Sequence, residues 1–142
     1  MNNLFGSNDK NVQSAAACVM ILLCFMNPEN QSRFMACDGL VSKVYELLKN
    51  KNQAVITNTL SVIISLSGEH PENQSLFGKY DGFFSRLYLI LMREDKLIPV
   101  VLRTIVSLSY RHPANQSLFG SCSGHAKCNS SRKQNAKRRL ES

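Results

Sequence analysis

The sequence predicts an all-α fold built from a helical repeat, and three observations lead to this prediction. An octapeptide recurs as NPENQSRF at 27–34, HPENQSLF at 70–77 and HPANQSLF at 112–119. Its prolines are spaced by 43 and then 42 residues, and glycine follows each proline at the same distance. The segments between these landmarks carry apolar residues at helical spacing. A period of this length with helical patterning is typical of an α-solenoid.

Each period is expected to contain a short, a medium and a long helix. Proline suits the first turn of a helix because its missing N–H is not needed there, so a short helix begins at each repeated proline. Asp38-Gly39 and Asp81-Gly82 end the short helices, and an amphipathic medium helix follows each of them. The long helix is expected over Gln53–Ser67, with Gly68 as its stop, and again from about Leu97 to Tyr110.

The same alignment predicts the core. Large apolar residues at equivalent positions are expected to be buried, and these are Phe34, Phe77, Leu23, Leu48, Leu66, Leu91 and Leu108. Residues 9–26 match only the long helix of a repeat, with Val12, Ala16, Met20 and Leu23 on its buried side. Two full repeats are therefore flanked by two partial ones. Since residues 15–26 are apolar nearly all round, we expect self-association, or a capping partner, through this segment.

The charge of the chain is concentrated at its C-terminal end. The sequence has 142 residues with 17 basic and 10 acidic side chains, a net charge of +7. Residues 121–142 hold six of the basic groups and one acidic group, so residues 1–120 carry only +2. This balance disfavours a nucleic-acid-binding core. We predict a repeat domain over 1–124 and a disordered basic tail over 125–142.

The tail contains the cluster Lys137, Arg138 and Arg139, which resembles a short nuclear-localisation signal. A solubilising tail and a contact with nucleic-acid phosphates are the other interpretations of this cluster.

Cysteine usage and hydropathy indicate the compartment. The chain has five cysteines, an odd number, and no export signal is recognised. The longest apolar run, from Ala15 to Met26, is shorter than the ~20 residues that a membrane-spanning helix needs. The sequence therefore predicts no membrane partner, free thiols, and a cytoplasmic or nuclear location. Cys18, Cys24 and Cys37 lie in or beside apolar patterns and are predicted to be core thiols.

The sequence resembles the armadillo-repeat family over residues 8–124. The segment 27–68 carries this resemblance, with the opening NPENQSRF and the continuation CDGLVSKVYELLKNKNQAVITNTLSVIISLSG. The resemblance implies a right-handed armadillo-type solenoid whose third helices line a groove for an extended peptide. Members that bind nuclear signals use a Trp and, four residues later, an Asn on this helix. The chain has no Trp, so the resemblance does not imply binding of nuclear signals.

The equivalent positions here form a polar strip on the expected third helices. Cys18, Ser61 and Arg103 stand at the Trp positions, and Leu22, Ser65 and Ser107 stand at the Asn positions. The candidate partner-binding residues are Asn58, Ser61, Ser65, Arg103, Ser107 and Tyr110. Two interpretations remain open for this strip, a solvated helix face and a hydrogen-bonding groove for a partner protein.

Other motifs favour structural interpretations. The Asn-Gln-Ser triplets match a glycosylation acceptor, but they are expected to cap or solvate the short helices. Cys122, His125 and Cys128 supply three metal-capable side chains where a structural zinc site needs four, with His112 as the only nearby fourth, and we predict no metal. Two of the three His residues precede repeat prolines and are expected in loops.

The sequence therefore predicts a non-enzymatic interaction scaffold. It contains no phosphate-binding loop, nucleophile elbow or helical metal pair, and so no catalytic residue and no cofactor are predicted. The alternative is a nuclear or nucleic-acid-associated factor that acts through its basic tail.

Overall fold

The computed structural model describes residues 6–122, and in this part of the chain it is entirely helical, without a β-strand. The all-α prediction is therefore confirmed. The helices are α1 (Lys10–Cys24), α2 (Pro28–Met35), α3 (Leu40–Leu47), α4 (Gln53–Ser67), α5 (Pro71–Lys79), α6 (Phe83–Arg93), α7 (Ile98–Ser109) and α8 (113–122).

The helices recur as groups of a short, a medium and a long helix. The first group is α2, α3 and α4, and the second is α5, α6 and α7, in which the 3₁₀ turn Asp95–Leu97 precedes α7. Within each group the short and medium helices pack on the long one. The helix α1 packs against α4, and α4 packs against α7. We refer to α1, α4 and α7 as the third helices.

Local sequence sets the ends of these helices. Proline lies in the first turn of α2, α5 and α7, because a helix needs no N–H at that position. Gly39 and Gly82 precede the medium helices with φ of 75° each, a left-handed conformation that glycine adopts without steric cost. Gly68 is the C-cap of α4, as predicted, but its φ of −59° is ordinary. The left-handed residue is the next one, Glu69, and Met26 and Arg111 are equivalent to it.

The core lies between the third helices and the shorter helices of each group. Phe77, Leu48, Leu66 and Leu108 are fully buried, which confirms four of the predicted core residues. Phe34 and Leu91 are only partly buried. The remaining core prediction, Leu23, is wrong.

Leu23 is 45% exposed, although it aligns with the fully buried Leu66. Asn58 of α4 donates a hydrogen bond to Ser14 of α1, so its side of α4 faces α1, and Leu66 lies next to this side, about 80° further round the helix. The matching side of α1 faces away from α4, and it is exposed. Ala16, Ala17, Met20 and Cys24 are the buried residues of α1.

One prediction about reactive side chains needs correction. Cys24 is fully buried, but Cys18 and Cys37 are exposed and are therefore not core thiols. His70 lies in the loop before α5, as predicted, and its buried side chain accepts from the backbone N–H of Asn73 to cap α5. Among the described residues, no helix is both long enough and apolar enough to cross a bilayer.

Candidate protein interface on the third helices

The third helices lie side by side in the order α1, α4, α7. Asn58 Nδ2 of α4 donates to Ser14 Oγ of α1 at 3.1 Å, and the hydroxyls of Ser67 in α4 and Ser107 in α7 are 2.9 Å apart. The middle helix, α4, therefore has one side toward α1 and the other side toward α7. Between these sides runs a solvent-facing stripe, which we refer to as the third-helix surface.

Three of the predicted interface residues have their polar groups engaged within the scaffold. Asn58 donates to Ser14, as described above. Ser65 is buried, and its hydroxyl donates to the Ser61 carbonyl at 3.1 Å. The Ser107 hydroxyl contacts Ser67 and the α4 backbone. These groups join helices to one another or bond within their own helix.

The other three residues line the third-helix surface. Arg103 is exposed, and within residues 6–122 its guanidinium has no hydrogen bond or ion pair. Tyr110 is half-exposed, with the Arg111 guanidinium carbon 5.3 Å from its ring centroid, a cation–π contact. Ser61 is partly buried and donates to the Thr57 carbonyl, which leaves its oxygen able to accept. The surface thus presents one unpaired cation and one accessible aromatic ring.

Two hollows lie at equivalent repeat positions, where the third helices end. The first has a volume of about 410 Å³ and the second about 290 Å³. The first is lined by Phe25, Met26, Pro28, Gln31, Ile64, Ser65, Gly68 and Glu69. The second is lined by Glu69, Pro71, Gln74, Tyr110 and Arg111. Left-handed residues line both hollows, Met26 and Glu69 in the first and Glu69 and Arg111 in the second.

The first hollow has walls that the sequence analysis included in the apolar segment 15–26 but did not assign to a separate recess. Phe25 and Met26 are large and apolar, yet both are exposed at its rim. Both residues follow the last turn of α1, so helical periodicity does not predict which way their side chains face. The sequence feature that could predict this wall is the pair of large apolar residues Phe25 and Met26, placed directly before the Asn27-Pro28 start of α2.

The glutamines of the Asn-Gln-Ser triplets form the inner walls of the hollows. Gln31 Nε2 donates to the carbonyls of Ser65, at 2.7 Å, and Gly68, at 3.4 Å. Gln74 Nε2 makes the equivalent bonds to Ser107 and Tyr110 at the same two distances. These carbonyls belong to the last turns and the C-caps of α4 and α7, where helix geometry leaves them without an intrahelical partner.

The asparagines of the triplets donate hydrogen bonds to backbone carbonyls that lie earlier in the chain. Asn30, Asn73 and Asn115 each donate through Nδ2 to the leucine carbonyl seven residues earlier, at 2.7–2.8 Å. Gln31, Gln74, Asn73 and Asn115 are all buried. The expectation that the triplets merely cap or solvate the short helices is therefore wrong, because they tie each short helix to third helices. Buried amides such as Asn73 and Asn115 also leave no room for a glycan.

The serines and histidines complete this linkage. Ser32 Oγ lies 2.8 Å from His70 Nε2, and Ser75 Oγ lies at the same distance from His112 Nε2. His112 Nδ1 accepts a hydrogen bond from the backbone N–H of Asn115, so Nδ1 carries no proton. The proton is therefore on Nε2, which donates to Ser75 Oγ. His112 is thus engaged in the scaffold.

Several predicted residues lie outside the described part of the chain. These are His125, Cys128, the cluster Lys137, Arg138 and Arg139, and the whole predicted tail. Within residues 6–122, no group of three or more His, Cys, Asp or Glu side chains is placed to hold a metal ion.

Comparisons with known proteins found no relative. No family model matches the chain, and no match was found among curated proteins or among solved structures. The relation to the armadillo family stays a prediction from the sequence.

Proposed function

We propose that the chain is a right-handed armadillo-type solenoid, with two full repeats between partial ones. We further propose that it is a non-enzymatic interaction module that binds an extended segment of a partner protein across the third-helix surface. The repetition of the two hollows carries this proposal. Equivalent recesses at successive repeats suit a ligand that is itself periodic, which is how repeat proteins use extended surfaces.

The spacing of the hollows suggests the conformation of the ligand. Axes of packed helices lie about 8–10 Å apart. A polyproline-II segment advances about 9 Å per turn of three residues, so its side chains i and i+3 point the same way at this spacing. Such a segment places two side chains in the two hollows without helical or sheet structure of its own.

The chemistry of the surface suggests the composition of the ligand. Phe25 and Met26 offer apolar walls in the first hollow, which favours an apolar side chain there. Arg103 is exposed and has no acidic partner among residues 6–122, which favours an acidic group beside it. The proposed ligand is therefore an extended peptide with an apolar anchor and a nearby Asp or Glu.

A selected peptide tests this proposal. A displayed library of random dodecapeptides would be panned on the full-length chain, and the affinity of the recovered peptides measured by fluorescence anisotropy. We expect Arg103→Glu to weaken binding roughly 10- to 100-fold, since a charge-assisted hydrogen bond contributes about 1.5–3 kcal/mol. Lys51→Glu makes the same charge change at an exposed loop residue and is the control.

Met26→Asn tests the first hollow separately. Met26 has a φ of 51°, and asparagine tolerates this left-handed conformation better than other polar residues, so the helix end is preserved. We expect weaker binding with an unchanged circular-dichroism spectrum. Selected peptides that bind both variants as tightly as the wild type would place the binding surface elsewhere and overturn the proposal.

A further inference from the structure

The two ends of the row of third helices expose sides that are covered in its middle. In α1, Val19 and Leu23 are nearly half exposed. The equivalent residues of α4, Val62 and Leu66, are fully buried, on or next to the side that faces α1. We refer to Ala15, Val19, Leu22 and Leu23 as the α1 end. It is the side that a third helix turns toward the preceding one.

At the opposite end of the row, α7 exposes the side that would face a following third helix. Leu102 and Val106 of α7 are exposed, whereas Leu60 and Ile64, their equivalents in α4, are buried and half-buried. Thr104 Oγ1 of α7 contacts the Leu60 carbonyl, so this side of α4 faces the next third helix. We refer to Leu102, Val106, Ser109 and Gln116 as the α7 end.

Polar groups at the α7 end also lack the partners that their equivalents have. Among the described residues, the buried Ser109 hydroxyl has no hydrogen-bond partner. Its equivalent, Ser67, bonds to Ser107 of the following helix. Gln116 is exposed and donates back to the Ser109 carbonyl at 3.0 Å, whereas Gln31 and Gln74 reach forward to the end of a third helix. The exposed apolar side chains and these polar groups both indicate that another third helix fits at this end.

We propose that this helix is α1 of a second copy of the chain, joined head to tail. The α1 end already has the orientation in which α4 and α7 meet their preceding helices. Both ends consist of uncharged residues, so no like charges meet in the junction. Gln116 would then donate to the carbonyls of Leu22 and Phe25 in the second copy, which are equivalent to Ser65 and Gly68, the acceptors of Gln31.

This association differs from a symmetric pairing of two α1 helices. It joins unlike surfaces, so each added copy leaves one α1 end and one α7 end open. The assembly therefore grows with concentration, and the third-helix surface continues from copy to copy. The test of this proposal is separate from that of the peptide ligand, because Leu23 and Val106 line neither hollow and neither end includes Arg103.

Two variants that each disable one end test the proposal in the full-length chain. Leu23→Glu places a charge in the α1 end, and Val106→Glu places one in the α7 end. Sedimentation velocity should give monomers for each variant alone, while the wild type grows beyond a dimer as concentration rises. An equimolar mixture should give a discrete 1:1 dimer, because each variant supplies the end that the other has lost.

Matched controls are available on other faces. Leu76 is 45% exposed, as Leu23 is, and Met92 is 63% exposed, as Val106 is. Leu76→Glu and Met92→Glu should associate like the wild type. If circular dichroism shows that Leu23→Glu is unfolded, the more exposed Leu22 takes the same substitution in its place.

Three outcomes would overturn the proposal. The first is a wild-type chain that stays monomeric throughout the micromolar range, in which case the chain itself or nothing covers these ends. The second is a Val106→Glu variant that dimerises as readily as the wild type, which indicates symmetric pairing through α1. The third is a mixture of the two variants that stays monomeric although both are folded.

Discussion

Replacing Gln74 by methionine tests whether the repeated glutamine holds a short helix to its third helix. Gln74 is buried in α5, and its amide donates to the carbonyls of Ser107 and Tyr110 at the end of α7. Methionine has nearly the same volume, so the substitution removes the donor and creates little cavity. Among residues 6–122, Gln74 is the only side-chain donor to these two part-buried carbonyls, and the substitution removes it.

The expected loss of stability follows from these contacts. The 2.7 Å bond to Ser107 is the stronger of the two, and a hydrogen bond of this kind contributes about 0.5–1.5 kcal/mol. A buried acceptor that is left unpaired costs about 1–3 kcal/mol. We therefore expect Gln74→Met to lower the free energy of unfolding by ~1–3 kcal/mol. For a chain of this size the melting temperature falls by roughly 4–10 °C.

Gln116 supplies the matched control, because it occupies the same position in the next Asn-Gln-Ser triplet but is exposed. We expect Gln116→Met to change stability by less than about 0.5 kcal/mol. Both variants would be unfolded with urea and followed by circular dichroism, at a concentration where the chain is monomeric. Equal losses for the two variants, or a Gln74→Met protein as stable as the wild type, would refute this account of the triplet.

Two further predictions concern the core. Phe77→Ala should cost about 3–5 kcal/mol in urea unfolding because Phe77 is fully buried, whereas Phe25→Ala, at an exposed ring, should cost far less. Burial raises the pKa of the Cys24 thiol from 9.0 to about 11, so iodoacetamide should alkylate exposed Cys18 and Cys37 quickly and Cys24 only after unfolding, as followed by peptide mass spectrometry. Since folding favours the protonated thiol, its contribution to stability is present below pH 9 and is lost as pH rises toward 11. Rapid alkylation of Cys24 in the folded chain would contradict its assigned burial.

Prolines, glycines and apolar spacing were sufficient to predict most of the helices. The predicted long helix over Gln53–Ser67 is confirmed at both ends, and Pro99 lies in the first turn of α7, where proline does not break a helix. These features depend on neighbours within a few residues, because backbone sterics and capping act locally. The all-α class follows from the same local rules.

The candidate interface was only partly predictable. Arg103 and Tyr110 were chosen from the family resemblance, and both are exposed on the third-helix surface. Ser65 and Ser107 were chosen on the same grounds, but one is buried and the other bonds across to α4. A helical pattern gives the angle of a residue around its axis, and it does not give how close the next helix lies.

The sequence by itself determined where helices begin and end and which positions are equivalent between repeats. Only the tertiary structure decided which equivalent residues are buried and which hydrogen bonds they make. Leu23 and Leu66 occupy the same repeat position, as do Gln74 and Gln116, yet one member of each pair is covered and the other is exposed. The physical reason is that burial depends on a neighbouring helix some 40 residues away in the chain, and identical residues have different surroundings when that neighbour differs.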